Sequence, residues 1–170
     1  MNLKISLATK ADASALTAIA FKAKRHWGYP DEYFLIWESE LSISEAYIAN
    51  NIVYKAVLDS EIVGFYSLVH VENEFYSVNV KVLKGWWLEH IFILPEYHKQ
   101  GIGKALIDHS KETLSSHNAK ECFIFVDPYA KGFYEKLGAE FLYHSPSSIE
   151  NREIPIYRIH IPSSCPSADG

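Results

Sequence analysis

The chain of 170 residues carries a formal net charge of −5 and two cysteines, Cys122 and Cys165, in very different surroundings. A domain of this length buries roughly 70% of its unfolded surface, so a disulfide framework is not expected. Nucleic acid is not an expected partner either, because binding to its phosphates needs clustered Lys and Arg. With no signal-like start and no run of about 18 apolar residues, the chain is predicted to be cytoplasmic, with no membrane partner. We expect one domain over residues 1–162 and a disordered tail over 163–170.

Sequence patterns predict three helices in the first fifty residues, beginning at Thr9, at Pro30 and after Ser44. Thr9 and Asp12 have the spacing of a capping box, in which the side chain of each residue accepts a hydrogen bond from the backbone amide of the other. In the second helix, Phe34, Trp37 and Leu41 recur at helical spacing. This periodicity predicts that one face of the helix is buried.

The rest of the chain alternates between strands and helices. Strands are predicted at 52–58, 62–71, 86–94, 122–126, 141–143 and 154–161, and a helix at 133–137. The first two strands suit a hairpin, whereas residues 72–85 leave open a longer hairpin arm or a loop insertion. Strands separated by helices predict an α/β fold, an α+β mixed sheet covered by helices on both faces.

Residues 98–106, HKQGIGKAL, place two glycines directly before an amphipathic helix. The first amides of a helix have no partner within it, and Gly101 and Gly103 would let the backbone approach an anion closely. The spacing fits neither better-known phosphate loop: a dinucleotide fingerprint needs glycine where Leu106 stands, and a P-loop needs Ser or Thr where Ala105 stands. The glycines alone do not separate an anion cradle from a tight turn.

A second segment, DPYAKGFYEKLGAEF at 127–141, follows the apolar strand at 122–126. Together with LEHIFILPEYHKQGIGKAL at 88–106, it resembles the GNAT superfamily of acetyl-CoA-dependent N-acetyltransferases. The resemblance implies one N-acetyltransferase domain with a GNAT-like acyl-CoA N-acyltransferase fold, whose central mixed sheet is mostly antiparallel and flanked by helices on both faces. It also implies acetyl-CoA as the co-substrate. The scattered histidines predict no metal site.

The same resemblance assigns residues to the coenzyme. Loop amides would bind its pyrophosphate, here those of Lys99, Gln100, Gly101, Ile102, Gly103 and Lys104. Strand backbone would pair with pantetheine, here that of Ile91, Phe92 and Ile93. Asp127 stands where the family often has an asparagine that contacts pantetheine. An aspartate accepts but cannot donate, so Asp127 could instead cap the next helix.

Tyr134 matches the tyrosine that protonates the departing thiolate in many members of the family. A phenol stays protonated at neutral pH and can donate there. Glu89 and His90 are the candidates for the base that takes the proton of the acceptor amine. Because neighbouring side chains of a strand point to opposite faces, we expect only one of the two to face the site.

Residues 25–37 bridge the first two helices and are rich in aromatic side chains. Trp27, Tyr29 and Tyr33 could bind the acceptor or pack the helices together, and Arg152 could anchor a carboxylate or be a surface charge.

The resemblance as a whole implies acetyl transfer to the amine of a small molecule by direct attack in a ternary complex. A protein amine as acceptor, a longer acyl group, a non-catalytic acyl-CoA sensor and a homodimer are left open.

Overall fold

A computed structural model describes residues 2–77 and 79–163. Of the predicted tail, 163–170, only residue 163 is among them, and Cys165 lies outside the described residues. Seven strands form the main sheet, in the order β1-β2-β3-β6-β7-β9-β8, and β4 and β5 form a separate hairpin. The strands are β1 Leu3–Leu7, β2 Ile52–Leu58, β3 Glu61–Val71, β4 Phe75–Ser77, β5 Val80–Val82, β6 Gly85–Ile93, β7 Glu121–Phe125, β8 Glu140–Pro146 and β9 Glu153–His160. Strands β6 and β7 are parallel, and the other neighbouring pairs are antiparallel.

Helices cover both faces of this sheet, which confirms the predicted fold class. The helices are α1 Ala13–Arg25, α2 Asp31–Leu41, α3 Glu45–Asn50, α4 Ile102–Ser116 and α5 Lys131–Lys136. One core cluster joins Leu16 of α1 and Trp37 of α2 to Phe65 of β3. A second joins Leu106 of α4 and Tyr134 of α5 to the other face of the sheet. The apolar faces of the helices therefore pack against opposite sides of the sheet.

The predicted helix starts are found, with one adjustment. Ser44 accepts a hydrogen bond from the Tyr47 amide at 3.0 Å and caps α3 as expected. The Thr9 amide donates to the Asp12 carboxylate at 2.8 Å. This pair caps the start of a short 3-10 helix, Lys10–Asp12, and α1 follows that helix. Sequence analysis missed β1, and the ambiguous residues 72–85 contain the hairpin of β4 and β5.

Two irregularities in β6 shape the centre of the sheet. The first is a β-bulge: Ser67 pairs with His90 and Leu68 pairs with Leu88, so Glu89 has no partner in β3. The second is that β6 and β7 pair only at Trp87 and Phe123, so the strands part after this point. A bulge redirects a side chain, and parted strands leave backbone groups without a neighbour.

Candidate active site

A cavity of about 1170 Å³ begins at the parted strands and extends from the start of α4 to the β4–β5 hairpin. It is lined by most of the residues that the sequence singled out, namely Trp27, Glu89, His90, Ile91, Phe92, Ile93, Lys99, Gly101, Gly103, Lys104, Asp127 and Tyr134. Four others are not part of its wall: Tyr29, Tyr33, Gln100 and Ile102. The fold thus collects the ends of several elements around one space, which is typical of a ligand site.

The start of α4 presents backbone donors to this cavity. Gly101 precedes the helix with φ of 82°, in the left-handed region that favours glycine. The first amide bonded within the helix is that of Ala105, which donates to the Gly101 carbonyl. The amides at 102–104 therefore have no partner within the helix, and the helix dipole adds positive charge beside them.

Gly103 lies in close contact with neighbouring side chains. A Cβ atom at this position would lie 3.1 Å from the Phe133 ring and 3.2 Å from the Ile93 side chain. The missing side chain leaves the backbone of the first helical turn accessible. The side chains of Gln100 and Ile102 point away from the cavity: Ile102 is buried in the core and Gln100 Nε2 donates to the Glu96 carbonyl.

The edge of β6 also offers backbone groups. The Leu94 amide donates to the Val63 carbonyl of the neighbouring strand. Because amides alternate in direction along a strand, those of Ile93 and Ile91 point the other way, toward the gap between β6 and β7. His98 Nε2 lies 3.3 Å from the Ile93 carbonyl, and since a carbonyl only accepts, this nitrogen is the donor.

Tyr134 lies on α5 at the wall of the cavity. The residue is buried, with a relative exposure of 6%, and its ring packs edge-on against Phe133. Among the described residues its hydroxyl has no hydrogen-bond partner, yet it is not sealed from the cavity. Burial first, and then the charge of Asp127, raise the pKa of Tyr134 above its ordinary value. The phenol is therefore protonated at neutral pH and can donate.

Glu89 and His90 form a contact that the regular alternation of a strand does not allow. Glu89 Oε1 lies 3.2 Å from His90 Nε2, and both residues line the cavity. The expectation that only one of them can face the site is therefore wrong. The bulge at Glu89 breaks the alternation and brings both side chains to the same side.

Two residues that sequence analysis missed support this pair. The Ser67 hydroxyl accepts from the His90 amide at 3.1 Å and is hydrogen-bonded to the Tyr47 hydroxyl at 2.8 Å. Burial raises the pKa of Glu89, but the hydrogen bond and charge of His90 and a hydrogen bond from Tyr47 outweigh it, leaving that pKa below its usual value. No local pattern indicated Tyr47, because its contact depends on how α3 packs against the sheet.

Asp127 is the centre of a partly buried charged network. Its carboxylate accepts from Lys24 Nζ at 2.8 Å, from the Tyr29 hydroxyl at 2.8 Å and from the Tyr129 amide at 3.0 Å. The last bond confirms that Asp127 caps the turn that follows it. Burial raises the pKa of Asp127, but the Lys24 charge and these bonds outweigh it, so the pKa is lowered. Burial lowers the pKa of Lys24 despite its pairing with Asp127.

The three aromatic residues at 27, 29 and 33, which extend from the end of α1 into the first turn of α2, divide between the cavity and the core. Trp27 lines the cavity and stacks on Tyr129, with ring centres 5.3 Å apart and an interplanar angle of 8°. Tyr33 instead packs against Trp37 and Tyr29. Tyr29 lies behind the wall, where its hydroxyl joins the Asp127 network. Trp27 is thus the member of the trio placed to touch a ligand.

In the described part of the chain, no helix is both long enough and apolar enough to cross a membrane. Within residues 2–77 and 79–163, no group of three or more His, Cys, Asp or Glu side chains is arranged to hold a metal ion.

Comparison with known proteins identifies related folds. A family model described as an acetyltransferase (GNAT) domain matches residues 49–138. The PaiA N-acetyltransferase of Thermoplasma acidophilum, solved with coenzyme A, is 20% identical, with a TM-score of 0.71 over 94% of this chain and 99% of that one. A ribosomal-protein alanine N-acetyltransferase of Escherichia coli is 18% identical, with a TM-score of 0.63 over 98% of each chain. A GNAT family acetyltransferase of Brucella melitensis, solved with acetyl-CoA, is 16% identical, with a TM-score of 0.62 over 97% and 92%. No curated protein matches the chain significantly in sequence.

Proposed function

Because this chain belongs to the GNAT acetyltransferase family, we propose that it transfers the acetyl group of acetyl-CoA to an amine of a small-molecule acceptor by direct attack in a ternary complex. One observation carries the proposal. A single cavity joins the unpaired amides at the start of α4, the parted edge of β6, the Tyr134 hydroxyl and the Glu89–His90 pair. These are the groups that such a transfer needs, in one connected space.

The residues of the cavity fit acetyl-CoA. The amides at 102–104, with Lys99 and Lys104 beside them, suit the pyrophosphate, and Gly103 leaves room for close approach. The amides of Ile91 and Ile93 face the gap between β6 and β7 and suit the amide groups of pantetheine. An amide near Ile93 would also meet the acetyl oxygen as negative charge develops there, a contribution of about 3 kcal/mol in comparable sites.

The chemistry requires two proton movements. The amine nitrogen attacks the thioester carbonyl carbon, the carbon–sulfur bond breaks, and the proton of the amine passes to Glu89, directly or through water. His90 Nε2 donates to the Glu89 carboxylate and orients it. Tyr134 donates its phenolic hydrogen to the departing sulfur, and solvent returns a proton to the Tyr134 oxygen while Glu89 releases the proton that it accepted. Each proton transfer by a positioned side chain contributes about 10²- to 10⁴-fold.

A small acceptor is supported by the part of the cavity wall that is not assigned to the coenzyme. This part includes Phe75 and Ser77 of β4 and segments of the chain after β8, among them Ser147 and Arg152. A walled space suits a small molecule better than an exposed protein surface does. The relatives themselves do not decide the acceptor, because one of those solved acts on a ribosomal protein.

Two measurements test the proposal. Acetyl-CoA at 100 times its dissociation constant should stabilise the protein by about 2.7 kcal/mol, observed as a rise in Tm, and thiol release should follow the addition of a suitable amine. No stabilisation by acetyl-CoA would refute the coenzyme assignment. Acetyl-CoA could also stabilise the protein without thiol release for any small amine. Acetylation of a protein would then favour a protein acceptor, and the absence of any transfer would favour a non-catalytic sensor.

A further inference from the structure

Arg152 is a partly buried cation on the wall of the active-site cavity. One guanidinium nitrogen donates to the Tyr29 hydroxyl at 2.9 Å, and among the described residues Arg152 has no carboxylate partner. Its guanidinium carbon lies 4.9 Å from the centre of the Tyr29 ring and 5.5 Å from that of Trp37. Since a guanidinium has five N–H donors, most of its hydrogen-bonding capacity is unused.

The acid nearest to Arg152 in this network is already occupied. Asp127 Oδ2 accepts from Lys24, and its Oδ1 accepts from the Tyr29 hydroxyl and the Tyr129 amide. Arg152 reaches Asp127 only through the Tyr29 hydroxyl. Two cations therefore share one hydrogen-bonded carboxylate. Glu40 also acts on Lys24 through its charge but forms no ion pair with Arg152 among the described residues, so Arg152 lies on the cavity wall without a carboxylate of its own.

The main chain at Arg152 is held by hydrogen bonds within its turn. The Arg152 amide donates to the Ile149 carbonyl at 3.1 Å, and the Arg152 carbonyl accepts from the Ser147 amide and hydroxyl. Ile149 is buried and packs in the same core cluster as α1 and α2. The segment before β9 is thus anchored at both ends of a short turn. Because the Tyr29 hydroxyl and the two rings also restrict the side chain, Arg152 loses little further freedom when it binds a ligand.

We propose that Arg152 binds a carboxylate of the acceptor, so that the acceptor class is amines that also carry a carboxylate, such as amino acids; this inference rests on the proposed function. A guanidinium fork matches a carboxylate with two parallel hydrogen bonds. Glu89, elsewhere on the wall of the same cavity, matches the ammonium form of the incoming amine. Glu40 and Glu72 also line the cavity but are exposed, whereas Arg152 is partly buried against two aromatic rings.

A binding measurement tests the inference independently of turnover. Protein saturated with coenzyme A is titrated with N-acetyl derivatives of L-phenylalanine, L-lysine and L-glutamate, and with the corresponding α-carboxamides. We expect the acids to bind roughly tenfold or more tightly than the amides, and Arg152→Gln to abolish the difference. Arg25→Gln, which removes an exposed cation of α1 outside this cavity, should preserve it. Equal affinity for acids and amides, or binding of neither series, overturns the inference.

Steady-state kinetics then separate specificity from a structural role. Arg152→Gln should raise the KM for free amino acids roughly tenfold or more, leave the KM for acetyl-CoA unchanged and spare the amino acid amides. Arg152→Lys should recover part of the loss. If wild type acetylates acids and amides equally, the inference fails while the proposed function stands. If thiol release is absent with every amine, the proposed function fails, and the binding titration still decides the role of Arg152.

Discussion

Glu89 Oε1 lies 3.2 Å from His90 Nε2, although the two residues are consecutive in one strand. The β-bulge at Glu89 makes this contact possible, because it places one unpaired residue between the pairs that Leu88 and His90 form with β3. A carboxylate accepts but does not donate, so His90 Nε2 carries the shared hydrogen. The bulge therefore builds a hydrogen-bonded acid–imidazole pair on the wall of the cavity.

The first prediction concerns the proton acceptor of this pair. Glu89→Gln keeps the size and the hydrogen bond but cannot take a proton, so we expect kcat to fall by about 10²- to 10⁴-fold. The KM and dissociation constant for acetyl-CoA should not change, because Glu89 lies away from the start of α4. Glu112→Gln, on the exposed face of α4, is the matched control and should behave as wild type. A larger loss for His90→Gln than for Glu89→Gln would transfer the role of base to His90.

How far the sequence could predict this fold depends on whether the determinants are local. The cap at Ser44 and the buried face of α2 depend on spacings within a few residues, and both were predicted correctly. β1 was missed because it is a five-residue edge strand with weak alternation, and Leu7 at its end is 59% exposed. Edge strands gain most of their stability from pairing, which a local pattern does not reveal.

The candidate site shows the same division. The position of Tyr134 and the glycines at the start of α4 followed from motifs and their spacing. The bulge at Glu89 was not predictable, since it depends on the register with β3. The pairing of Lys24 with Asp127 joins residues 103 positions apart, and only the packed structure brings them together.

The second prediction concerns the proton donor. Tyr134→Phe removes the hydroxyl and keeps the packing, so kcat should fall by about tenfold or more, with little change in acetyl-CoA binding. Because the pKa of Tyr134 is raised, its phenol remains protonated throughout the range below pH 10, and the pH dependence of kcat in that range should not reflect its ionisation. Tyr143→Phe, on β8 and outside the cavity, is the control. An unchanged kcat in Tyr134→Phe would refute the role.

The third prediction compares two glycines. Gly101→Ala places a side chain at φ of 82°, which we expect to destabilise the protein by about 1 kcal/mol or more and to weaken acetyl-CoA binding by distorting the first amides of α4. Gly132→Ala in α5 meets no atom within 4 Å and has no positive φ, so stability should be unchanged or slightly raised. Denaturant unfolding and the Tm shift with acetyl-CoA measure both effects. Equal behaviour of the two variants would contradict the prediction.

The fourth prediction concerns Cys122. Burial in β7 raises the pKa of Cys122 to about 12, so only about one molecule in ten thousand carries the thiolate at pH 8. We expect iodoacetamide to leave Cys122 unmodified in the native protein and to alkylate it in guanidinium chloride, as read by peptide mass spectrometry. Acetyl transfer should survive the native treatment. Rapid native alkylation at Cys122 would contradict the burial argument and would make Cys122 a candidate nucleophile.

The fifth prediction concerns the largely buried pair of Lys24 and Asp127, whose side chains are 13% and 14% exposed. Asp127→Asn retains an oxygen for Tyr29 and the Tyr129 amide but leaves Lys24 without its counter-charge, so we expect a loss of about 3 kcal/mol in the free energy of unfolding at pH 7. Lys24→Met combined with Asp127→Asn should recover much of this loss, since no unpaired charge is then buried. Asp108→Asn, which breaks an exposed pair with Lys104, should cost less than about 0.5 kcal/mol.

The pH dependence of the Asp127→Asn effect gives a second test with a definite sign. The pKa of Asp127 is lower in the folded chain than in the unfolded one, so its stabilising contribution is complete above the unfolded value of about 4. That contribution disappears as the pH falls through the folded pKa. The difference in unfolding free energy between wild type and Asp127→Asn should therefore be constant from pH 7 down to about 5 and shrink below pH 4, as measured by urea denaturation at each pH. A difference that grows on acidification would mean that Asp127 is protonated in the native state and does not pair with Lys24.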